Sequence, residues 1–234
     1  MFCKQCSKSL IQRRTFSVLG NLKKSNNVGK PFKQNNNSQI RYSPLDDAQT
    51  AYLDRVIRVD QAGELGANYI YAGQFFVLAN KFPHLKPILQ HMWDQEIHHH
   101  NTFNELQIRN RVRPSLITPF WKLGAFFMGA GTASISSEAA MACTEAVETV
   151  IGKHYNEQLR CLSNQYVQNK TDGSKGLPDE VKSLTDVITQ FRDDELEHLN
   201  TAIEYDSKKA VPYIMLTEAI KSICRVAIWS AERV

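Results

Sequence analysis

No stretch of this 234-residue chain alternates apolar and polar residues with period two for long enough to argue for a sheet. A glycine-rich strand–turn–helix fingerprint is also missing, which excludes a dinucleotide site of that kind. Cysteine is sparse, five residues in all. Cys3 and Cys6 form a CxxC, but no second CxxC exists to complete a zinc framework. Cys143, Cys161 and Cys224 are scattered through apolar helical segments and read as reduced core thiols, as in a reducing compartment. A clean membrane span of about 20 apolar residues is lacking too. The most apolar stretch, residues 115–137, is interrupted by Pro119, Lys122 and several glycines. Two readings of it stay open: a core helix, or a segment dipping into one leaflet with Trp121 and Lys122 near the headgroups.

Acidic residues are absent from positions 1–45, which hold nine of the 28 Lys and Arg. The net charge of +4 is therefore concentrated at one end, and in the remaining body acidic residues outnumber basic ones. This is not the charge pattern of a nucleic-acid-binding protein. A basic, acid-free segment rich in Ser and Asn reads as a mitochondrial transit peptide over residues 1–42, with a cleavage point near Arg41-Tyr42-Ser43. The competing reading is a basic arm that touches nucleic acid or membrane. Residues 43–234 are then the folded domain.

Apolar positions in that domain recur at helical spacing. A first helix is expected from Asp46 to about Asn80, with Asp46 or Asp47 as its cap and with Gly63, Gly66 and Gly73 inside it. Small residues on a helix face allow a neighbouring helix or a ligand to approach closely. Further helices are expected over 87–109, 138–163 and from Asp179 onward, with a polar loop at 164–180. Residues 211–234 form a strongly apolar face, either a docking helix or a second membrane-facing element. The fold class is all-α.

The chemistry lies in a repeated spacing. Glu195 and His198 stand three residues apart, as do Glu96 and His99, and side chains at i and i+3 share a helix face. With 13 Glu and 7 His in the chain, chance supplies only about 0.4 such pairs. Each pair follows a lone glutamate on the preceding helix, Glu64 before the first and Glu148 before the second, at intervals of 32 and 47 residues. Much of the difference falls in the polar loop. A Glu from each of two helices and an ExxH from each of the other two is the dinuclear carboxylate pattern of ferritin-like four-helix bundles. Four carboxylates and two imidazoles suit two iron or manganese ions, which offset the converging negative charge. Two choices stay open on the residues alone: His99 or His100 on the second helix, and Glu145 or Glu148 on the third.

Several stretches carry a resemblance: Arg58-Val59-Asp60-Gln61-Ala62-Gly63-Glu64-Leu65-Gly66-Ala67-Asn68, Met92-Trp93-Asp94-Gln95-Glu96, Arg111-Val112-Arg113-Pro114, Gly129-Ala130-Gly131-Thr132-Ala133 and Arg192-Asp193-Asp194-Glu195-Leu196-Glu197-His198. Over about residues 50–234 the chain closely resembles the mitochondrial demethoxyubiquinone hydroxylases of ubiquinone biosynthesis. The resemblance implies a ferritin-like bundle with two additional apolar, membrane-interfacial helices. It implies a di-iron centre on Glu64, Glu96, His99, Glu148, Glu195 and His198, with Glu96 and Glu195 as bridging carboxylates. The family's His-Tyr pair falls on His154 and Tyr155, close enough to the site to take part in proton or electron delivery. The implied activity is O₂-dependent hydroxylation of a demethoxyquinone with a polyprenyl tail, with NADH as the ultimate electron source. The implied setting is peripheral, on the matrix side of the mitochondrial inner membrane. A lipid-presenting partner and other ubiquinone-biosynthesis proteins would be its associates. Competing functions are a membrane-bound di-iron quinol oxidase, iron storage, or a structural subunit of a quinone-biosynthesis assembly.

Overall fold

The structure is a computed structural model that describes residues 42–171 and 173–234; residues 1–41 of the expected transit segment, with the Cys3/Cys6 pair, lie outside them. Six α-helices occur among the described residues: α1 (Asp47–Lys81), α2 (Lys86–Asn110), α3 (Thr118–Ile135), α4 (Ser137–Gln165), α5 (Asp179–Glu204) and α6 (Tyr213–Ala231). The polar loop after α4 contains two short antiparallel strands, β1 (Gln168–Asn169) and β2 (Lys175–Gly176). The all-α expectation holds.

Helix boundaries follow local chemistry. Asp46 caps α1 by accepting from the Gln49 backbone N–H, while the Gln49 side chain accepts from the Asp46 N–H, a reciprocal capping box. Ser136, in extended backbone, ends α3 and accepts from Ala139 N–H to begin α4 with no intervening loop.

The α1–α2 and α4–α5 hairpins form the bundle, and each has a cluster of packed apolar side chains at either end. Tyr52, Val56, Phe103, Leu162, Ile188 and Phe191 fill one end. Tyr71, Leu78, Leu89, Met92 and Met141 fill the other. Helices α3 and α6 lie over α1 and α4, sharing a third cluster in which Ile70, Ala125, Val147 and Ile220 meet. The α1–α3 crossing is close because both helices present glycine there. A Cβ on Gly129 would fall 2.0 Å from the Ile70 carbonyl oxygen, and one on Gly73 would fall 2.3 Å from that of Phe126. Gly63 and Gly66, by contrast, have no neighbouring atom within 4 Å of that position, so of the three α1 glycines only Gly73 serves a helix contact.

Residues 118–135 of the 115–137 stretch form α3, whose two faces differ. The inner face of α3 (Ala125, Gly129, Thr132, Ala133) is buried, whereas Phe120, Leu123 and Phe127 on it stand exposed. On α6, Ile214, Met215, Val226 and Trp229 are exposed as well. No helix among the described residues is long and apolar enough to cross a membrane.

Candidate metal centre

Between the two core clusters the bundle interior turns polar. Glu64 on α1, Glu96 and His99 on α2, Glu148 on α4, and Glu195 and His198 on α5 are all at most 1% exposed. Their atoms converge as two overlapping groups. Glu64, Glu96, His99 and Glu195 form one; Glu96, Glu148, Glu195 and His198 form the other, each with its ligand atoms within 4.8 Å of one another. Glu96 and Glu195 belong to both groups. His99 Nδ1 lies 3.4 Å from Glu64 Oε2 and 3.2 Å from Glu195 Oε1. His198 Nδ1 lies 3.2 Å from Glu96 Oε1 and from Glu195 Oε2.

Buried polar atoms ordinarily have hydrogen-bond partners. Here Glu64 Oε2, both Glu96 oxygens, His99 Nδ1, Glu148 Oε2 and Glu195 Oε1 have none. Atoms left without partners but aimed at shared points fit metal ions held by oxygen and nitrogen donors. The electrostatics of these side chains point the same way. Burial pushes Glu96 up to about 8, reinforced by the Glu195 charge. Burial opposes charge on His99, but the adjoining Glu195 and Glu64 carboxylates push it up to about 12.

Within each open choice the two side chains point in different directions. His100 is not in either group and contacts Asn104 on its own helix. Glu145 points to the α5–α6 connection, where it accepts from Ser207 (2.5 Å), Tyr213 (2.6 Å) and Lys208. Burial works against the Glu145 carboxylate, yet these three donors hold it below its ordinary value. Glu145 therefore fastens the start of α6 to α4. Glu145→Ala strips the acceptor from a buried Ser207 and is expected to cost about 1–3 kcal/mol in chemical denaturation, with Glu145→Gln losing less.

A second layer of contacts crosses between the hairpins. Tyr71 on α1 donates to Glu148 on α4 at 2.9 Å, and Tyr155 on α4 donates to Glu64 on α1. Burial first, then the adjoining glutamate charge, keeps both phenols far above their ordinary values, so both remain donors. Gln158 donates to Asp60 at 2.7 Å, and Gln74 bonds Thr144 at 3.2 Å. On the imidazoles, Nε2 of His99 meets Asp194 and Nε2 of His198 meets Gln95, each at 3.0 Å. Both rings thus turn Nδ1 inward, with the outer nitrogen as the donor. His154 touches none of the six residues by hydrogen bond. It contacts Gln158 at 2.9 Å and approaches Asp60 at 3.7 Å, and burial drops its pKa to about 4, so it is neutral.

The family described as ubiquinone biosynthesis protein COQ7 matches residues 51–231, from the second turn of α1 to the end of α6. The chain belongs to the COQ7 family. It is 67% identical over 221 residues to the mitochondrial 5-demethoxyubiquinone hydroxylase of Saccharomyces cerevisiae, covering 94% of this chain and 95% of that one. It is 46% identical over 189 residues to the mitochondrial NADPH-dependent 3-demethoxyubiquinone 3-hydroxylase of Mus musculus, covering 81% of each. A bacterial relative, the 3-demethoxyubiquinol 3-hydroxylase of Rhodospirillum rubrum, is 40% identical over 191 residues, covering 82% of each. In this COQ7 chain, sequence reasoning missed Tyr71, Gln95 and Asp194. Their signal was present: Tyr71 follows Glu64 by the same seven residues that separate Tyr155 from Glu148, and Gln95 and Asp194 each directly precede the Glu of an ExxH.

Proposed function

We propose that this chain is a di-iron monooxygenase that hydroxylates the ring of a demethoxyquinone in ubiquinone biosynthesis. Glu64, Glu96, His99, Glu148, Glu195 and His198 would hold the two iron ions. The observation that carries the reading is the coincidence of two four-residue groups sharing Glu96 and Glu195 with the unpartnered buried atoms of the same residues. An all-oxygen and imidazole donor set without thiolate suits iron or manganese better than a structural zinc. The bound irons would supply the reduction of O₂, one atom entering the ring as hydroxyl and the other leaving as water.

The chain's own side chains have distinct tasks. Tyr71 and Tyr155 each hold one oxygen of a terminal glutamate, leaving the other for metal. Asp194 and Gln95 orient the imidazoles. Tyr155, bonded to Glu64 and next to the neutral His154, is the residue through which a proton or electron would pass to the centre. A reduced nicotinamide would be the ultimate electron source, NADH on the family resemblance or NADPH as the animal relatives' names state. Without a strand–turn–helix fingerprint, it would act through the quinone or a loosely held site.

The exposed Phe120, Leu123, Phe127, Ile214, Met215 and Trp229 favour seating on a lipid surface, since α3 and α6 both bury their inner faces in one cluster with α1 and α4 and leave these side chains outside. The protein would then sit peripherally on the matrix side of the inner membrane, where a polyprenyl quinone would reside. A lipid-presenting partner and other ubiquinone-biosynthesis proteins would assemble around it. Residues 1–42 would be removed on import. Metal content and turnover test the reading together. The purified protein in detergent should carry two irons per chain and, given O₂ and a reductant, convert demethoxyquinone to its hydroxylated product. Iron with oxygen uptake but no hydroxylated quinone would refute the hydroxylase, and absence of metal would refute the centre.

A further inference from the structure

The two halves of the site are related by an approximate two-fold exchange of α1–α2 with α4–α5, down to individual hydrogen bonds. Glu64 pairs with Glu148, Tyr71 with Tyr155 and Gln74 with Gln158, each tyrosine and glutamine reaching across to the opposite half. Departures from this symmetry are few, and one bears directly on the imidazoles. His99 presents its outer nitrogen to the carboxylate of Asp194; His198 presents its own to the carboxamide of Gln95, at the same 3.0 Å. A carboxylate behind a ligating histidine raises the ring's basicity and steadies its orientation more than a neutral amide does. Asp60, in the place of Thr144, is a second departure in the same half. Burial pushes its carboxyl well above the ordinary range, and Gln158 donates to it at 2.7 Å.

We propose that the two metal positions are inequivalent: the position of Glu64 and His99, backed by Asp194, binds its ion more tightly and fills first, and that of Glu148 and His198, backed by Gln95, fills second. The inference rests on the metal-centre reading above. Asp194 is 24% exposed, so solvent tempers its charge and sets the expected difference near the lower end of the usual outer-contact range, about tenfold. A singly loaded protein would then carry its ion beside Glu64 and its donor Tyr155.

The test is an anaerobic titration of the metal-free full chain with ferrous iron alone, followed by competition with a chromophoric chelator. Two steps about tenfold apart are expected. His198→Ala should retain the tighter step and His99→Ala should lose it. Asp194→Asn should weaken the tighter step by about the same factor, drawing the two together, and Gln95→Glu should strengthen the weaker one. In the double variant Asp194→Asn/Gln95→Glu the order should reverse, so that His99→Ala now spares the tighter step. Helix content by circular dichroism checks that each variant folds, and Gln95→Glu carries the test by itself if Asp194→Asn does not. Two equal steps in the native protein, or a tighter step lost in His198→Ala, overturn the proposal while leaving the di-iron reading intact. No iron bound at any concentration overturns both.

Discussion

Replacing His198 with alanine is expected to abolish quinone hydroxylation, leaving the demethoxyquinone precursor to accumulate in cells that depend on this chain. His198 is fully buried and faces both shared carboxylates, Glu96 and Glu195, at 3.2 Å. Truncation removes the one nitrogen donor of the Glu148 group and opens a cavity in a site already dense with acid. Changes to outer contacts of a metal site cost about 10–100-fold in affinity or activity, and loss of a ligand should cost at least the upper figure. Quinone extracts analysed by mass, with immunoblots to show equal protein levels, measure the effect. Unchanged quinone composition at normal protein level would rule out the assigned role.

The second large effect is expected far from any ligand. Gly129→Ala places a methyl group 2.0 Å from the Ile70 carbonyl oxygen and 2.8 Å from its carbon, where backbone rather than a yielding side chain must move. Overpacking of this kind costs about 3 kcal/mol, or about 6–12 °C in melting temperature for a domain of this size. Because α1 carries Glu64, prising it from α3 should also loosen the site, and iron content should fall with stability. Gly66→Ala is the control. With open space around it, this change should be neutral or stabilise by up to about 1 kcal/mol, as alanine does in a helix. Equal melting temperatures for the two variants would remove the close crossing from the account.

The six central residues were legible because helical spacing is written directly into sequence: an i, i+3 pair recurs, and a lone glutamate precedes each copy. Asp46 was legible as a cap for the same local reason. Contacts between helices were not. Gly73 stood out as an unfavourable helix residue, but its counterpart Gly129, 56 positions later, could be matched only once α3 was seen lying against α1. Gly63 and Gly66 looked identical to Gly73 in sequence and do nothing comparable. Tyr71 reads as one more apolar-face aromatic until its hydroxyl is found on Glu148. Residues 115–137 were ambiguous because one helix buries small residues inward and shows large ones outward, and composition averages the two faces.

The crossed hydrogen bonds also bear on how an ion could ever leave. Neither hairpin owns a complete set of donors: the Glu64 group borrows Glu195 from α5, and the Glu148 group borrows Glu96 from α2. Fraying of the last turn of any single helix therefore leaves the donors in place, since all six lie more than one turn inside helices pinned by packed side chains on either side. Release would require the two hairpins to part along their seam, a motion that also breaks the Tyr71 and Tyr155 bonds. On the proposed di-iron reading, loss of metal and separation of the halves would be one event, and the lifetime of bound ions would follow the opening rate of the bundle itself.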